Sequence, residues 1–251
     1  IRLKVPHERI ARLHPADIAD IVEQLDPQQR TEVIEALDVE TAADTIEEME
    51  DREAAEIMEQ LEEEKAADIL EEMEPDDAAD VLGDLPDVRS EELLEHMAPE
   101  EAADVKELLA YEEETAGGLM TTEFVAVRSD MTAEQTIEHL RRLAPKAETV
   151  YYVYVVDEDE RLVGVLSLRD LIVSDPSAPV ADVMVTNVRK VSTHDHADEI
   201  AQVFRKYNLL ALPVVDEEGR LVGIVTVDDM MEHLLPPDRR RKLPQLTVGE
   251  Q

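Results

Sequence analysis

A twelve-residue repeat runs through the first 110 residues and limits what the chain can fold into. Steps of twelve place a leucine or methionine in one slot from Leu13 to Leu109, and an acidic residue in another slot from Asp20 to Asp104. A third slot repeatedly holds proline, at Pro15, Pro27, Pro75 and Pro99. Such repetition predicts an architecture in which each unit packs on its neighbours.

Each repeat is predicted to form one short helix. Proline is favoured at the first helical position, and Asp26 with Gln29 three residues later resembles a capping box. The apolar residues of the repeat that starts at Pro75 follow the i, i+3, i+4, i+7 spacing of one stripe: Ala78, Val81, Leu82 and Leu85. Because helices of about ten residues are unstable alone, we expect the stripes to stack into a superhelix.

Carboxylates recur in pairs one helical turn apart. Asp76 and Asp80 form one such pair, with Cα atoms expected about 6 Å apart and side chains directed away from the apolar stripe. Like charges at this spacing repel one another, and the cost grows when a second acidic surface approaches. A divalent cation would remove that repulsion.

The whole chain is strongly acidic. Its 251 residues include 62 acidic and 24 basic side chains, for a formal net charge of -38. This balance disfavours nucleic acid as a partner, because phosphate contacts need clustered Lys and Arg, and it favours cations. Dense carboxylates also keep halophilic proteins hydrated in salt, so solvation is an alternative explanation that can hold together with cation binding.

Several classes of protein are disfavoured by what the sequence lacks. Cysteine is absent, so neither disulfides nor thiolate chemistry is expected, and a reducing cytosol is favoured. The longest apolar run, residues 150–156, is far shorter than the roughly 20 residues of a membrane-spanning helix. We expect neither a membrane span nor a signal peptide. No nucleophile motif, P-loop or acid/base pair is present, so we predict that the chain is not an enzyme.

A second kind of module follows the repeats and occurs twice. The segment YEEETAGGLM, residues 111–120, breaks the helical pattern at its two glycines. Beyond it, residues 155–171 match residues 214–230 at an offset of 59. Each copy predicts an apolar strand, a polar turn, a second strand with a glycine, and a helix opened by Ser167 or Thr226.

These modules resemble a known family. Tandem domains that end in Gly-h-h-Ser/Thr-x-x-Asp resemble a CBS-domain pair, or Bateman module, and the acidic repeat with YEEETAGGLM is similar to the cytosolic region of MgtE magnesium transporters. The resemblance implies an α plus α/β fold. Its expected parts are a superhelix of short helices (1–112), a linker with the first CBS domain (113–176), the second CBS domain (177–235) and a basic tail (236–251).

The resemblance to MgtE also implies a function. It predicts a Mg²⁺ sensor at the cytoplasmic, inner face of the cell membrane, homodimeric through its CBS domains. The sensor would close when Mg²⁺ binds between acidic lobes and would thereby gate an attached transmembrane pore. The implied metal ligands are Asp44, Asp76 and Asp80 in the repeat, and Asp198, Asp229 and Glu232 in the second CBS domain. Paired carboxylates suit Mg²⁺, which prefers oxygen ligands and often keeps several waters.

CBS pairs commonly bind adenosine derivatives, so the resemblance also implies ATP or another adenine nucleotide as a ligand. It places Tyr152 beside the base, Ser167 and Arg169 near phosphate, and Asp170 at the ribose hydroxyls. Leu209 stands where an aromatic ring would stack better on a base. In an alternative interpretation, Ser167 and Asp170 only cap the following helix.

Three smaller motifs have candidate roles. The motif HDHAD, residues 194–198, contains possible transition-metal ligands, but we favour a polar loop before a helix because no second His cluster completes a shell. Asp157 and Asp159 are expected in a turn and not in a calcium loop. The basic cluster at residues 239–242 could lie against anionic lipid.

Two other functions remain open on the sequence alone. One is a stand-alone CBS adenine-nucleotide sensor whose helical domain binds another protein. The other is a halophilic interaction scaffold without a ligand of its own.

Overall fold

The computed structural model describes residues 13–143 and 150–234. These residues divide between a helical unit that extends to Ala103 and a second unit that extends from Asp104 to Met231. The domain limits expected from the sequence remain a prediction. The basic tail at 236–251 lies outside the described residues.

The helices of the repeat are nine or ten residues long. They are α1 (Pro15–Glu23), α2 (Pro27–Glu35), α3 (Val39–Glu47), α4 (Asp51–Gln60), α5 (Glu63–Glu72), α6 (Pro75–Gly83), α7 (Asp87–His96) and α8 (Pro99–Leu108). Proline opens four of them, as predicted. The predicted cap of α2 is confirmed, because the backbone N–H of Gln29 donates to Asp26 Oδ1 at 3.1 Å.

The core of the helical unit is built by one apolar position in each repeat. Residues twelve apart are fully or nearly fully buried: Val22, Ile34, Ile46, Met58, Leu70 and Leu82. Alanine pairs such as Ala66 and Ala67 are buried beside them and let neighbouring helices approach closely. Acidic residues of the repeated slot, including Asp44, Asp68 and Asp80, are exposed. The predicted division of each helix into an apolar and an acidic side is therefore confirmed at these positions.

Helices two apart in the chain pack against each other, so the unit contains two interleaved rows. The odd-numbered row has α1 on α3, α3 on α5 and α5 on α7, and the even-numbered row has α2 on α4 and α4 on α6. Helices α1 to α7 thus pack against neighbours that are not adjacent in sequence, as expected for a repeat architecture, and some adjacent helices also touch.

The second unit contains two three-stranded sheets, with strand orders β1-β2-β3 and β4-β5-β6. Their elements are β1 (Ala126–Arg128), α9 (Ala133–Leu143), β2 (Tyr152–Val156), β3 (Leu162–Ser167), α10 (Leu168–Val173), α11 (Val180–Val183), β4 (Val191–Ser192), α12 (Ala197–Tyr207), β5 (Ala211–Val215), β6 (Leu221–Thr226) and α13 (Val227–Leu234). In each sheet the first strand is parallel to the second, and the second is antiparallel to the third. The predicted duplication is confirmed.

The segment that precedes each sheet pairs with a strand of the other copy. Thr121, before the first sheet, pairs with Ile224 in β6 through backbone hydrogen bonds of 2.9 and 3.0 Å. Val185, before the second sheet, pairs with Val165 in β3 through bonds of 2.8 and 3.0 Å. An apolar cluster that includes residues of both sheets, among them Tyr154 and Ile224, continues this connection.

Within residues 13–143 and 150–234, no helix is long and apolar enough to span a bilayer.

Candidate functional site

Three predicted metal ligands lie in the helical unit. Asp44 in α3 and Asp80 in α6 are exposed, as expected. Asp76 is only 8% exposed, so the expectation that it points outward with Asp80 is wrong. Burial at the start of α6 extends beyond the apolar stripe to Pro75 and Asp76, whereas the first two residues of α4 and of α5 are exposed.

One side chain joins the helices that carry these acids. Glu47, the last residue of α3, accepts a hydrogen bond from the backbone N–H of Glu74 at 2.7 Å. Glu74 is the N-cap of α6. The end of the helix that carries Asp44 is therefore in direct contact with the start of the helix that carries Asp76 and Asp80. The sequence analysis did not single out Glu47.

The other three predicted ligands lie near the starts of helices in the second copy. Asp198 is exposed in the first turn of α12. Asp229 is half-buried in the first turn of α13, where its Oδ2 accepts a short hydrogen bond from the Thr226 hydroxyl. Glu232 belongs to α13, but its side chain lies outside the described residues.

The environment of Asp229 raises the pKa of its carboxyl above the ordinary value. Desolvation by burial is the largest cause, and the neighbouring negative charge of Asp228 adds to it, whereas the hydrogen bond from Thr226 acts in the opposite direction. A cation placed beside Asp229 would relieve both unfavourable effects.

The described part of the chain contains no group of three or more His, Cys, Asp or Glu side chains placed to hold a metal ion. Asp44, Asp76 and Asp80, which all belong to the helical unit, therefore do not form a closed metal shell by themselves. Mg²⁺ is often held by one or two carboxylates and several waters, which paired surface acids can supply. The motif at residues 194–198 begins in a loop and enters α12 at Ala197, with His196 as the N-cap, as the sequence favoured.

Four of the predicted nucleotide contacts lie together at the end of the first sheet. Tyr152 opens β2 and is the direct cross-strand partner of Ser167, the last residue of β3. Arg169 and Asp170 follow in the first turn of α10, and both are exposed. This arrangement places an aromatic ring, a hydroxyl, a guanidinium and a carboxylate near the same end of the first sheet.

Leu209, the fifth predicted contact, is half-buried and lies two residues before Ala211, the start of β5. Tyr152 packs against the apolar cluster that includes Ala211. The role of Leu209 as a nucleotide contact stays a prediction.

Ser167 and Asp170 form the predicted cap of α10, and their role as nucleotide contacts stays a prediction. The backbone N–H of Asp170 donates to Ser167 Oγ at 3.1 Å, and Ser167 Oγ donates to Asp170 Oδ2 at 2.6 Å. The turn interpretation of Asp157 is confirmed as well, since its Oδ1 accepts the backbone N–H groups of Asp159 and Arg161 at 2.9 and 3.0 Å. Capping leaves the exposed side of Asp170 accessible to a ligand.

Comparison with known proteins decides the family. The MgtE intracellular N domain model matches residues 13–114, and the CBS domain model matches residues 116–175 and 180–236. The crystal structure of the cytosolic domain of the Mg²⁺ channel MgtE in complex with ATP superposes with a TM-score of 0.87 and 44% identity, over 91% of this chain and 93% of that one. The chain belongs to the MgtE family.

Other MgtE relatives agree with this assignment. The soluble part of a magnesium transporter superposes with a TM-score of 0.83 and 39% identity, over 90% of each chain. The magnesium transporter MgtE of Thermus thermophilus is 58% identical over 130 residues, and that of Enterococcus faecalis is 49% identical over 128. These matches cover 52% and 51% of the chain but only 29% and 28% of the transporters, so the chain spans under a third of their length.

Enzymes also occur among the similar proteins. Inosine-5'-monophosphate dehydrogenase of Aquifex aeolicus is 36% identical over 102 residues, which are 39% of this chain and 21% of that enzyme. The shared part is the CBS pair and not the catalytic domain. The MgtE family assignment therefore supports the prediction that the chain is not an enzyme.

Proposed function

We propose that the chain is a Mg²⁺-sensing regulatory region of a magnesium transporter. It acts at the cytoplasmic face of the cell membrane and forms a homodimer through its CBS domains, and its conformation gates an attached pore. The observation that carries this proposal is the match to the cytosolic domain of the Mg²⁺ channel MgtE over 91% of the chain. The exposed acidic slot of the repeat is what a cation sensor of this kind requires.

The proposed mechanism is electrostatic. Two like charges one helical turn apart cost about 0.2–0.5 kcal/mol, and bringing a second acidic lobe near adds further repelling pairs. Mg²⁺ bound by Asp44, Asp76 and Asp80 of one lobe and by Asp198, Asp229 and Glu232 of the other offsets that repulsion. The closed state gains only the difference in affinity of Mg²⁺ between the closed and open states.

ATP or another adenine nucleotide is proposed as a second ligand, at Tyr152, Ser167, Arg169, Asp170 and Leu209. The support is the ATP complex of the similar MgtE domain, together with the arrangement of four of these residues at the same end of the first sheet. The same observation favours the alternative function, a CBS adenine-nucleotide sensor with a helical protein-interaction domain.

Limited proteolysis against Mg²⁺ at constant ionic strength tests these proposals. The unaltered chain should gain protease resistance at millimolar Mg²⁺ and should not gain it in matched Na⁺. The double variant D80A/D229A should lose most of this gain. The control D68A/E217A should keep it, because Asp68 is an exposed acid of the same slot as Asp80 and Glu217 is an exposed acid of the second copy that is not a predicted ligand.

Other protection patterns would favour the alternative functions. Protection by ATP alone would favour the nucleotide sensor, and protection by neither ligand would favour the scaffold. Equal protection of D80A/D229A and the unaltered chain would show that the predicted ligands are wrong.

A further inference from the structure

Glu47 forms a bond that replaces part of a helix cap. In a capping box, a glutamate in the first turn of a helix reaches back to the backbone N–H of its own N-cap residue. At α6 that N–H belongs to Glu74, and its acceptor at 2.7 Å is the carboxylate of Glu47, which lies at the end of α3. Hydrogen bonds to charged acceptors are stronger than neutral ones, and a carboxylate is stabilised at the positive end of a helix.

The same bond recurs along the odd-numbered row of helices. Three glutamates 24 residues apart accept the N–H of the residue 27 positions later: Glu23 from Glu50 at 3.4 Å, Glu47 from Glu74 at 2.7 Å and Glu71 from Ala98 at 2.5 Å. A second kind of bond, from a basic side chain to a backbone carbonyl after a helix, also recurs at 24 residues. Lys65 donates to Leu37 O at 3.1 Å, and Arg89 donates to Leu61 O at 2.6 Å. Each odd helix is therefore tied by charged side chains to the ends of helices three positions away.

Among these ties, the one made by Glu47 joins two helices that carry predicted metal ligands. Asp44 lies three residues before Glu47 in α3, and Asp76 lies two residues after Glu74 in α6. The spacing between the two ligand-bearing turns thus depends on a bond made by a residue that is not itself a predicted ligand.

We infer that Glu47 is a positioning residue for Mg²⁺: its hydrogen bond to Glu74 sets the spacing of Asp44 relative to Asp76 and Asp80. This inference rests on the proposed function. It assigns Glu47 a role as hydrogen-bond acceptor and not as metal ligand, so an uncharged acceptor of the same shape should largely replace it.

The test compares the E47A and E71A variants of this chain. Both glutamates are half-buried and both accept one backbone N–H, but neither α5 nor α8, which Glu71 joins, carries a predicted ligand. Both variants should lower the melting temperature. Only E47A should raise the Mg²⁺ midpoint of protease protection, by about tenfold, as removal of outer-shell partners typically does. Equal midpoint shifts in the two variants would overturn the inference and leave the proposed function intact.

A second comparison separates positioning from ligation. E47Q keeps an oxygen that accepts the Glu74 N–H but loses the negative charge that a Mg²⁺ ligand would need. If Glu47 only positions the ligands, the Mg²⁺ midpoint of E47Q should stay within about twofold of that of the unaltered chain. A midpoint for E47Q as high as that of E47A would overturn the positioning role. If the unaltered chain shows no Mg²⁺ effect, both this inference and the proposed function fail.

A further pair covers the case in which E47A does not fold. E47D keeps the charge but withdraws the carboxylate by one methylene, and E71D is its matched control. The expected and overturning results for this pair are the same as for E47A and E71A.

Discussion

Two equivalent glycines in the second unit should respond very differently to substitution by alanine. Gly164 in β3 and Gly223 in β6 occupy the same position in the two copies. A Cβ at Gly223 would lie 2.6 Å from Met120 Sδ and 2.8 Å from the backbone oxygen of Thr121. A Cβ at Gly164 would lie 2.3 Å from the sulfur of Met184, and the nearest atoms there all belong to that side chain.

The difference in cost follows from what can move. Ordinary contacts between carbon atoms are about 3.5–4.0 Å, so both substitutions create an overlap. At Gly223, Met120 is 0% exposed and Thr121 is held by two backbone hydrogen bonds to Ile224, so neither neighbour can withdraw. At Gly164 the half-buried, flexible Met184 can change rotamer.

Overpacking costs about 1–3 kcal/mol, and alanine recovers about 0.4–1 kcal/mol by restricting the unfolded chain. We therefore expect G223A to lower the free energy of unfolding by about 2 kcal/mol. G164A should cost less, about 0.5 kcal/mol, because a rotamer change of Met184 removes its sulfur and leaves only its Cβ, at 3.2 Å, in a tight contact.

Tyrosine fluorescence in urea measures this difference in stability, because the tyrosines report on unfolding of the second unit. The chain has five tyrosines and no tryptophan, and all the tyrosines lie between positions 111 and 207, within the second unit. A loss of about 2 kcal/mol should lower the urea midpoint by about 1 M. Equal midpoints for G223A and G164A, or a lower midpoint for G164A, would refute the argument that a fixed backbone oxygen decides the cost.

Two further predictions concern the helical unit and use urea unfolding followed by circular dichroism. Hydrogen bonds from the backbone N–H and then the hydroxyl of Thr41 lower the pKa of Asp38, the N-cap of α3. The Asp38 carboxylate therefore stabilises the folded state above the unfolded-state pKa of about 3.9, and this contribution is lost as pH falls through the lower folded-state pKa. D38A should cost about 1 kcal/mol at about pH 7, and an undiminished cost at about pH 2 would contradict this. R89M removes the donor to Leu61 O and should lower the free energy of unfolding by about 2 kcal/mol. R52M removes an exposed ion pair and should lower it by less than about 0.5 kcal/mol. A larger loss for R52M than for R89M would disprove the stabilising role of the Arg89 bond.

Much of the local structure could be read from the sequence because local interactions decide it. The proline at the start of α6 and the aspartate cap of α2 act within one helical turn, so their effect was predictable without knowledge of the packing. The same holds for the link between Ser167 and Asp170, whose three-residue spacing is that of a cap. The family resemblance rested on the order of these local motifs.

The candidate sites depended more on neighbours distant in sequence. A helical wheel places Asp76 near Asp80, but Asp76 is buried at the start of α6 whereas Asp80 is exposed. Likewise, the sequence marks the segment before each CBS copy only as a break in the pattern, whereas the structure pairs Thr121 and Val185 with strands of the opposite copy.

The sequence by itself determined a period of twelve residues, because each repeat encodes one helix with its own apolar stripe. Tertiary structure decided that the charged ties follow a period of 24. Glutamate occupies the slot of Glu47 in the intervening repeats too, as Glu35 and Glu59. For Glu59 the residue 27 positions later is Pro86, which has no backbone N–H to donate, so the sequence already excludes that bond. For the others, packing into two rows determines which glutamate reaches a helix end, since the contact joins residues 27 positions apart.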